Sequence, residues 1–209
     1  MNSKIYIGVA THKEYRMPVD KCYKPIHVGS INKETISNYQ KDSEGDNISI
    51  SNPNFCELTA TYYIWKNISA EYKGLVHYRR HFTNDMNFIE FKTGEFSKIA
   101  SEEFLLEQLK NTDIIVPKKR KYYIETLYSH YKHTHQISDL DETRKVIEYL
   151  TPEYLTSFDK VMKRKQAHMF NMYIMKSNLF DAYADWMFAT LFELQKRVDI
   201  TEYDVSEAR

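Results

Sequence analysis

The stretch Gly74-Leu75-Val76-His77-Tyr78-Arg79-Arg80-His81 gathers more reactive side chains than any other in the 209 residues. A β-rich apolar run that ends in two histidines and two adjacent arginines reads as a buried strand delivering cations at its mouth, where partial desolvation strengthens each charge-assisted hydrogen bond. Arginine's planar fork suits a diphosphate. The competing reading pairs Arg79 and Arg80 with acids of a polar loop, and local sequence leaves both open.

Other candidates are scattered. Thr11, His12 and Lys13 follow the apolar run Ile5 to Ala10, at the place where ligands of open α/β sheets collect. Glu57 can serve as an acid or base, yet it stands three positions after Asn54, and that spacing favours a capping box. Asp46 and Asn47 follow Gly45 and suit either a turn or contacts to ribose and sugar hydroxyls. His168 and Asn171 precede the last helix, facing a ligand or satisfied in the core. Glu57, His77 and His168 are thus the candidates for a catalytic base. His130, His133 and His135 lack a cysteine or glutamate at ligand spacing, and neighbouring lysines repel a cation, so a structural zinc site is rejected. Asp139-Leu140-Asp141 is the chain's sole Asp-x-Asp, a weak candidate for Mg2+ or Mn2+, because it opens a helix where acids complement the dipole. Trp65 and Trp186 read as core.

The elements that must position these groups alternate. Ile5 to Ala10 is a buried strand, residues 18–54 are polar and irregular, and a helix runs from Asn54 to about Asn67 with Leu58, Tyr62 and Trp65 on one face. Tyr72 to Tyr78 is a second strand, Ser101 caps a helix through Leu109, and Asp113 to Pro117 is a third buried strand. Two helices cover 139–150 and the region opened by Thr151-Pro152, Ala167 to Lys176 is strand-like, and Phe180, Tyr183, Met187, Leu191, Leu194 and Val198 mark a long amphipathic helix. Such alternation predicts an α/β sheet.

Composition narrows the classes. Lys and Arg number 29 against 29 Asp and Glu, which removes the electrostatic case for a nucleic-acid partner. Five glycines, at 8, 29, 45, 74 and 94, spell neither a dinucleotide fingerprint nor a Walker loop. Mean hydropathy is -0.61 and no apolar run approaches the length of a spanning helix. Two cysteines, Cys22 and Cys56, with no secretory leader, make a reducing cytoplasm the expected setting. Aromatics reach 14 %, with 17 tyrosines, a composition suited to polar ligands such as sugars and nucleotides.

Six blocks in order carry a resemblance: Val9 to Lys13, Tyr23 to Gly29, Gly45 to Ser49, Asn54 to Asn67 with its Glu-Leu-Thr-Ala core, Gly74 to Phe82, and Asn171 to Lys176. Together they resemble the DUF4422 family of bacterial capsular and exopolysaccharide biosynthesis, whose members look like GT-A glycosyltransferases. The resemblance implies a Rossmann-related, mixed and mainly parallel sheet flanked by helices in a single domain over 1–209, with a nucleotide-sugar half at 1–117 and an acceptor half at 118–209. It implies transfer from a nucleotide-sugar, a UDP-sugar such as galactose or galactofuranose, to a lipid-linked capsule, O-antigen or exopolysaccharide acceptor at the inner face of the membrane. Thr11, His12, Lys13, Asp46, Asn47, Tyr78, Arg79, Arg80 and Asn171 then hold the donor, with Glu57, His77 or His168 as base. No metal is required on this reading, Mn2+ or Mg2+ being the alternative. The family pattern continues past the long helix, so a chain ending at Glu207-Ala208-Arg209 is expected to be a piece of such a protein. Two other classes stand beside it: a non-catalytic module binding an anionic glycan or nucleotide, and an RNA- or membrane-surface contact through the basic, aromatic run 118–135.

Overall fold

Residues 3–84 and 96–199 are described in the computed structural model. They divide into two compact units, Met1–Lys118 with Met169–Ala184, and Lys119–His168 with Asp185–Arg209. The acceptor half expected at 118–209 is therefore split, because Met169–Ala184 pairs back into the first unit. The chain end at Glu207 to Arg209 and Gly94 lie outside the described residues.

Strand β1 (Ile5–Thr11) buries Ile5, Ile7, Val9 and Ala10. It pairs in parallel with β2 (Tyr23–His27), which carries the two-residue β3 (Gln40–Lys41) on its outer side. Residues 18–54 are thus partly sheet, contrary to the irregular stretch read from sequence. Pro25 lies inside β2. Cys22 O and Val28 N bond to β1, so alternation turns residue 25 to the outer edge, where β3 reaches only Ile26 and His27 and no ladder bond is lost.

The helix expected from Asn54 is two helices, α1 (Asn52–Phe55) and α2 (Leu58–Asn67), separated by Cys56 at φ 47°. Thr59, Ala60, Tyr63 and Ile64 form its buried face, whereas Leu58, Tyr62 and Trp65 are half-buried, a rotation of the expected stripe. Gly8 admits this packing, since a Cβ there would lie 2.6 Å from Ile64 Cδ1.

Strand β4 (Tyr72–His77) lies parallel on the other side of β1. Helix α3 (Glu102–Leu109) is capped by Ser101, whose side chain accepts from Phe104 N. The third buried strand shrinks to β5 (Ile114–Ile115), an edge strand with Ile114 40 % exposed.

The second unit begins with β6 (Arg120–Lys121) and α4 (Leu127–Thr134), capped by a Thr126–Ser129 box. It continues through α5 (Ile137–Leu150), α6 (Leu155–Met162) and β7 (Gln166–Ala167), which pairs antiparallel with β6. The chain then returns to the first unit. The strand-like run 167–176 is interrupted at Phe170 and Asn171 and resumes as β8 (Tyr173–Lys176), antiparallel to both β4 and β5. Sheet order is β3-β2-β1-β4-β8-β5, mixed and mostly parallel. Helix α7 (Ser177–Arg197) closes the described chain, its first turns belonging to the first unit, where Asp181 meets the buried Lys73 at 2.8 Å. No helix of the described residues is long and apolar enough to cross a membrane.

Candidate functional site

Strand order reverses at β1: β2 and β3 extend the sheet to one side and β4 to the other. The crevice beyond the carboxyl ends of strands at such a reversal is where open α/β sheets bind ligands. Thr11, His12 and Lys13 leave β1 there, and Tyr78, Arg79 and Arg80 leave β4 beside them. Thr11 Oγ1 donates to Lys13 O at 2.6 Å, folding the chain back on the strand end. The Tyr78 ring, almost fully buried, is met edge-on by His12 at 5.4 Å and Tyr15 at 4.9 Å, with the Arg79 guanidinium 5.0 Å from its centroid. His77 and Arg80 close a tight turn, each backbone N–H donating to the other's carbonyl at 3.2 and 3.0 Å. Arg80 lies 4.5 Å from the Phe170 ring. Both arginines are exposed, and neither pairs with a carboxylate among the described residues. The pairing with loop acids is not what the fold uses.

Glu57 departs most from its expected role. The left-handed Cys56 breaks the helix, its carbonyl accepting from Asn52 Nδ2 at 2.7 Å and Thr59 N at 3.3 Å, so Glu57 is not the third residue of a helix capped by Asn54. Its side chain makes no capping bond. Instead its carboxylate accepts from Asn171 Nδ2 at 2.8 Å and stands 3.9 Å from His77 Nε2. His77 Nε2 lies 2.5 Å from Phe170 O. A carbonyl can only accept, so Nε2 carries the proton and Nδ1 keeps the lone pair in the neutral ring. Phe170 and Asn171 are left-handed, at φ 79° and 47°. With Cys56 they make three strained non-glycine residues around one carboxylate, each costing on the order of 1–3 kcal/mol.

Sequence reasoning missed Asp42. Fully buried beyond β3, it accepts from Gly29 N, Ser30 N, Ser30 Oγ, Ser49 Oγ and Thr59 Oγ1, at 2.6 to 3.0 Å. Nothing in a polar loop singles out one aspartate for this role. Two imidazoles were also missed: the buried atoms His27 Nδ1 and His81 Nε2 have no hydrogen-bond partner among the described residues. Burial, reinforced by Lys33, pushes His27 below the ordinary imidazole range. Burial, with His77 nearby, brings His81 down to about 4.

The remaining candidates lie elsewhere. Asp46 bonds with Asn67 and Tyr62 near the last turn of α2, about 15 Å of helix from Glu57. Asn47 spends its side chain on Ser43 O, Gly45 O and Ser49 N of its own loop. His168 is exposed and belongs to the second unit, after β7 rather than in a strand or core. Asp139 and Asp141 sit two apart in α5, a spacing that turns them to different faces, and Asp141 accepts from Tyr128 OH at 2.9 Å. These two do not fit a cation as a pair. A glutamate does join the histidine run, since Glu125 bonds to His130 at 2.8 Å and to His133. No cluster of three or more His, Cys, Asp or Glu placed to hold a metal occurs among the described residues.

Known proteins show two likenesses. The sequence model of DUF4422, a domain of unknown function, matches residues 4–209. Among solved structures the chain is similar to the apo structure of WbbM, described as a bifunctional glycosyltransferase, at 31 % identity and a TM-score of 0.90. That likeness covers 99 % of this chain and 40 % of WbbM, so the chain spans two fifths of that protein's length. No curated protein matches it.

Proposed function

We propose that this chain, which belongs to the DUF4422 family, is a GT-A-like glycosyltransferase domain that moves a sugar from a nucleotide-sugar to a glycan acceptor. Its likeness to WbbM supports the reaction class. The observation that carries the reading is the Glu57 carboxylate, oriented by Asn171 beside His77 at the strand ends where Arg79 and Arg80 stand without acidic partners among the described residues.

In transfer the donor's anomeric C–O bond breaks, the nucleoside diphosphate leaves, and the acceptor oxygen bonds to the anomeric carbon as it loses a proton. Arg79 and Arg80 meet the charge developing on the diphosphate, an electrostatic contribution of the kind that dominates such steps. Thr11, His12, Lys13 and Tyr78 border the same crevice and hold the donor. The Glu57 oxygen not bonded to Asn171 takes the acceptor proton, as a positioned general base must. His77, anchored on Phe170 O, fixes one wall of that site. Asp46, Asn47 and His168 have no part in it.

The family resemblance supplies the finer reading: a UDP-sugar, galactose or galactofuranose, and a lipid-linked capsule, O-antigen or exopolysaccharide acceptor at the cytoplasmic face. With leaving-group charge assigned to two guanidiniums, turnover is expected to survive EDTA, and a loss restored by Mn2+ would overturn that assignment.

A thermal-shift screen of nucleotide-sugars on the parent and an Arg79→Ala/Arg80→Ala variant tests the core of the proposal. One nucleotide series should stabilise the parent and not the variant, with single substitutions lowering donor turnover about a hundredfold. Equal shifts in both proteins would remove the arginines from the donor site. Stabilisation without donor cleavage would make the chain a binding module.

A further inference from the structure

The second unit carries a surface that the transferase reading does not use. β6 and β7 form a separate ribbon, Arg120 opposite Ala167 and Lys121 opposite Gln166. Its arms bear Lys119, Arg120 and Lys121 on one side and Lys163, Arg164 and Lys165 on the other, all exposed. None of the six forms an ion pair with a carboxylate among the described residues, and acids of adjoining segments are engaged: Glu125 by His130 and His133, Asp159 by Arg144. Lys121, Tyr123, Arg164, Lys165 and Gln166 line a cavity of about 310 Å³.

Beside these cations the chain holds two large side chains in water. Tyr123 and Ile124 are 82 % and 86 % exposed. Their positions are fixed by the backbone: Tyr122 N donates to Lys165 O and Leu127 N to Arg164 O, both at 2.8 Å, and Tyr123 is left-handed at φ 55°. The neighbouring Tyr122 ring packs 4.2 Å from His130. The turn is therefore tied at both ends while its apolar tip stands mostly in solvent.

We infer that this ribbon docks on an anionic lipid bilayer, its cations on headgroup phosphates, one phosphate seated in the cavity, and Tyr123 and Ile124 in the interfacial layer. Cations flanking a short apolar tip are how a peripheral protein combines attraction to charged lipid with burial of apolar area, and tyrosine favours the headgroup level. Single-stranded RNA is a poorer match. Its bases stack on flat π faces, which Ile124 lacks, whereas a short apolar tip beside cations suits the interfacial layer. The inference is independent of the transferase reading, because none of its residues belongs to the Glu57 or Arg79–Arg80 cluster.

Co-sedimentation of the 209-residue chain with phosphatidylcholine vesicles, with and without phosphatidylglycerol, tests it. Binding is expected only with the anionic lipid and is expected to fall as salt screens the surface. A Lys121→Glu/Arg164→Glu variant should bind on the order of several hundredfold more weakly, since each unit of charge contributes about fivefold and two reversals change about four units. Tyr123→Ser/Ile124→Ser should lose about tenfold while keeping the parent's salt dependence. All four side chains are exposed, so circular dichroism and the thermal transition should match the parent's. Equal binding to both vesicles, no binding to either, variants that bind like the parent, or tighter binding to oligouridylate than to vesicles would each overturn the inference.

Discussion

Two carboxylates of the first unit, Asp42 and Glu57, both meet one broken helix and are treated in opposite ways. Asp42 is fully buried and accepts five hydrogen bonds, more than the roughly four lone-pair sites of its two oxygens, so none is left over. Glu57 is partly exposed and accepts one, from Asn171. They are connected: Asp42 holds Thr59, Thr59 holds the Cys56 carbonyl, and the Cys56 corner aims Glu57. A saturated acid can only hold structure, whereas one with a spare oxygen at the strand ends can accept a proton. The division of labour lies in hydrogen-bond saturation rather than in residue type.

The comparison breaks most visibly at Glu57. Glu57→Gln keeps an acceptor for Asn171 but removes the base, so turnover should fall by about 10²–10⁴-fold with the melting temperature unchanged; steady-state kinetics beside calorimetry would reveal the reverse pattern. Asp42→Asn should act mainly on stability, costing about 3 kcal/mol as buried donors lose their acceptor, or roughly 6–12 °C in melting temperature, with a loss of turnover per folded molecule well below that of Glu57→Gln.

His81 supplies a supporting group with a pH signature. Its folded pKa of about 4 lies below the free value of 6.5, so between those values the unfolded chain binds the extra proton and stability falls as pH falls. Denaturant melts of the parent and His81→Phe should diverge through that window, the parent losing on the order of 2 kcal/mol more by its acid end; parallel curves would mean that the imidazole is solvated. The smallest effect is expected at Asn171→Gly. Relief of the left-handed backbone should add about 0.5–1 kcal/mol of stability, while loss of the amide that orients Glu57 should reduce turnover about tenfold. A variant that gains neither stability nor loses rate would dissolve the link between strain and function.

Much of the sheet was legible because its central strands are continuous apolar runs with few alternatives: β1 and β4 lie where Ile5 to Ala10 and Tyr72 to Tyr78 placed them. The cation-rich mouth of β4 followed from its position alone. β2 is five residues long inside a stretch read as polar and irregular, and β3 is too short to leave a pattern. Glu57 was misread because the capping-box spacing assumes one unbroken helix, and the break at Cys56 is set by Asn52, Thr59 and Asp42, contacts formed only in three dimensions. Asp46 and Asn47 look like ligands in a list and turn out to be loop fasteners. Asn171 could be named but not partnered, because its 114-residue separation from Glu57 closes only when β8 returns beside β4.

That return has a further consequence. The antiparallel register fixes Gly74 opposite Ile174 and Leu75 opposite Tyr173, and a Cβ at Gly74 would lie 2.6 Å from Tyr173 O. Beyond the ladder, His77 meets Phe170 O and Asn171 reaches Glu57. The two strand tips behave like the jaws of a caliper whose opening is measured in whole residues, so evolution can trade side chains on either jaw but cannot lengthen one by a single residue without carrying the amide past the acid it grips.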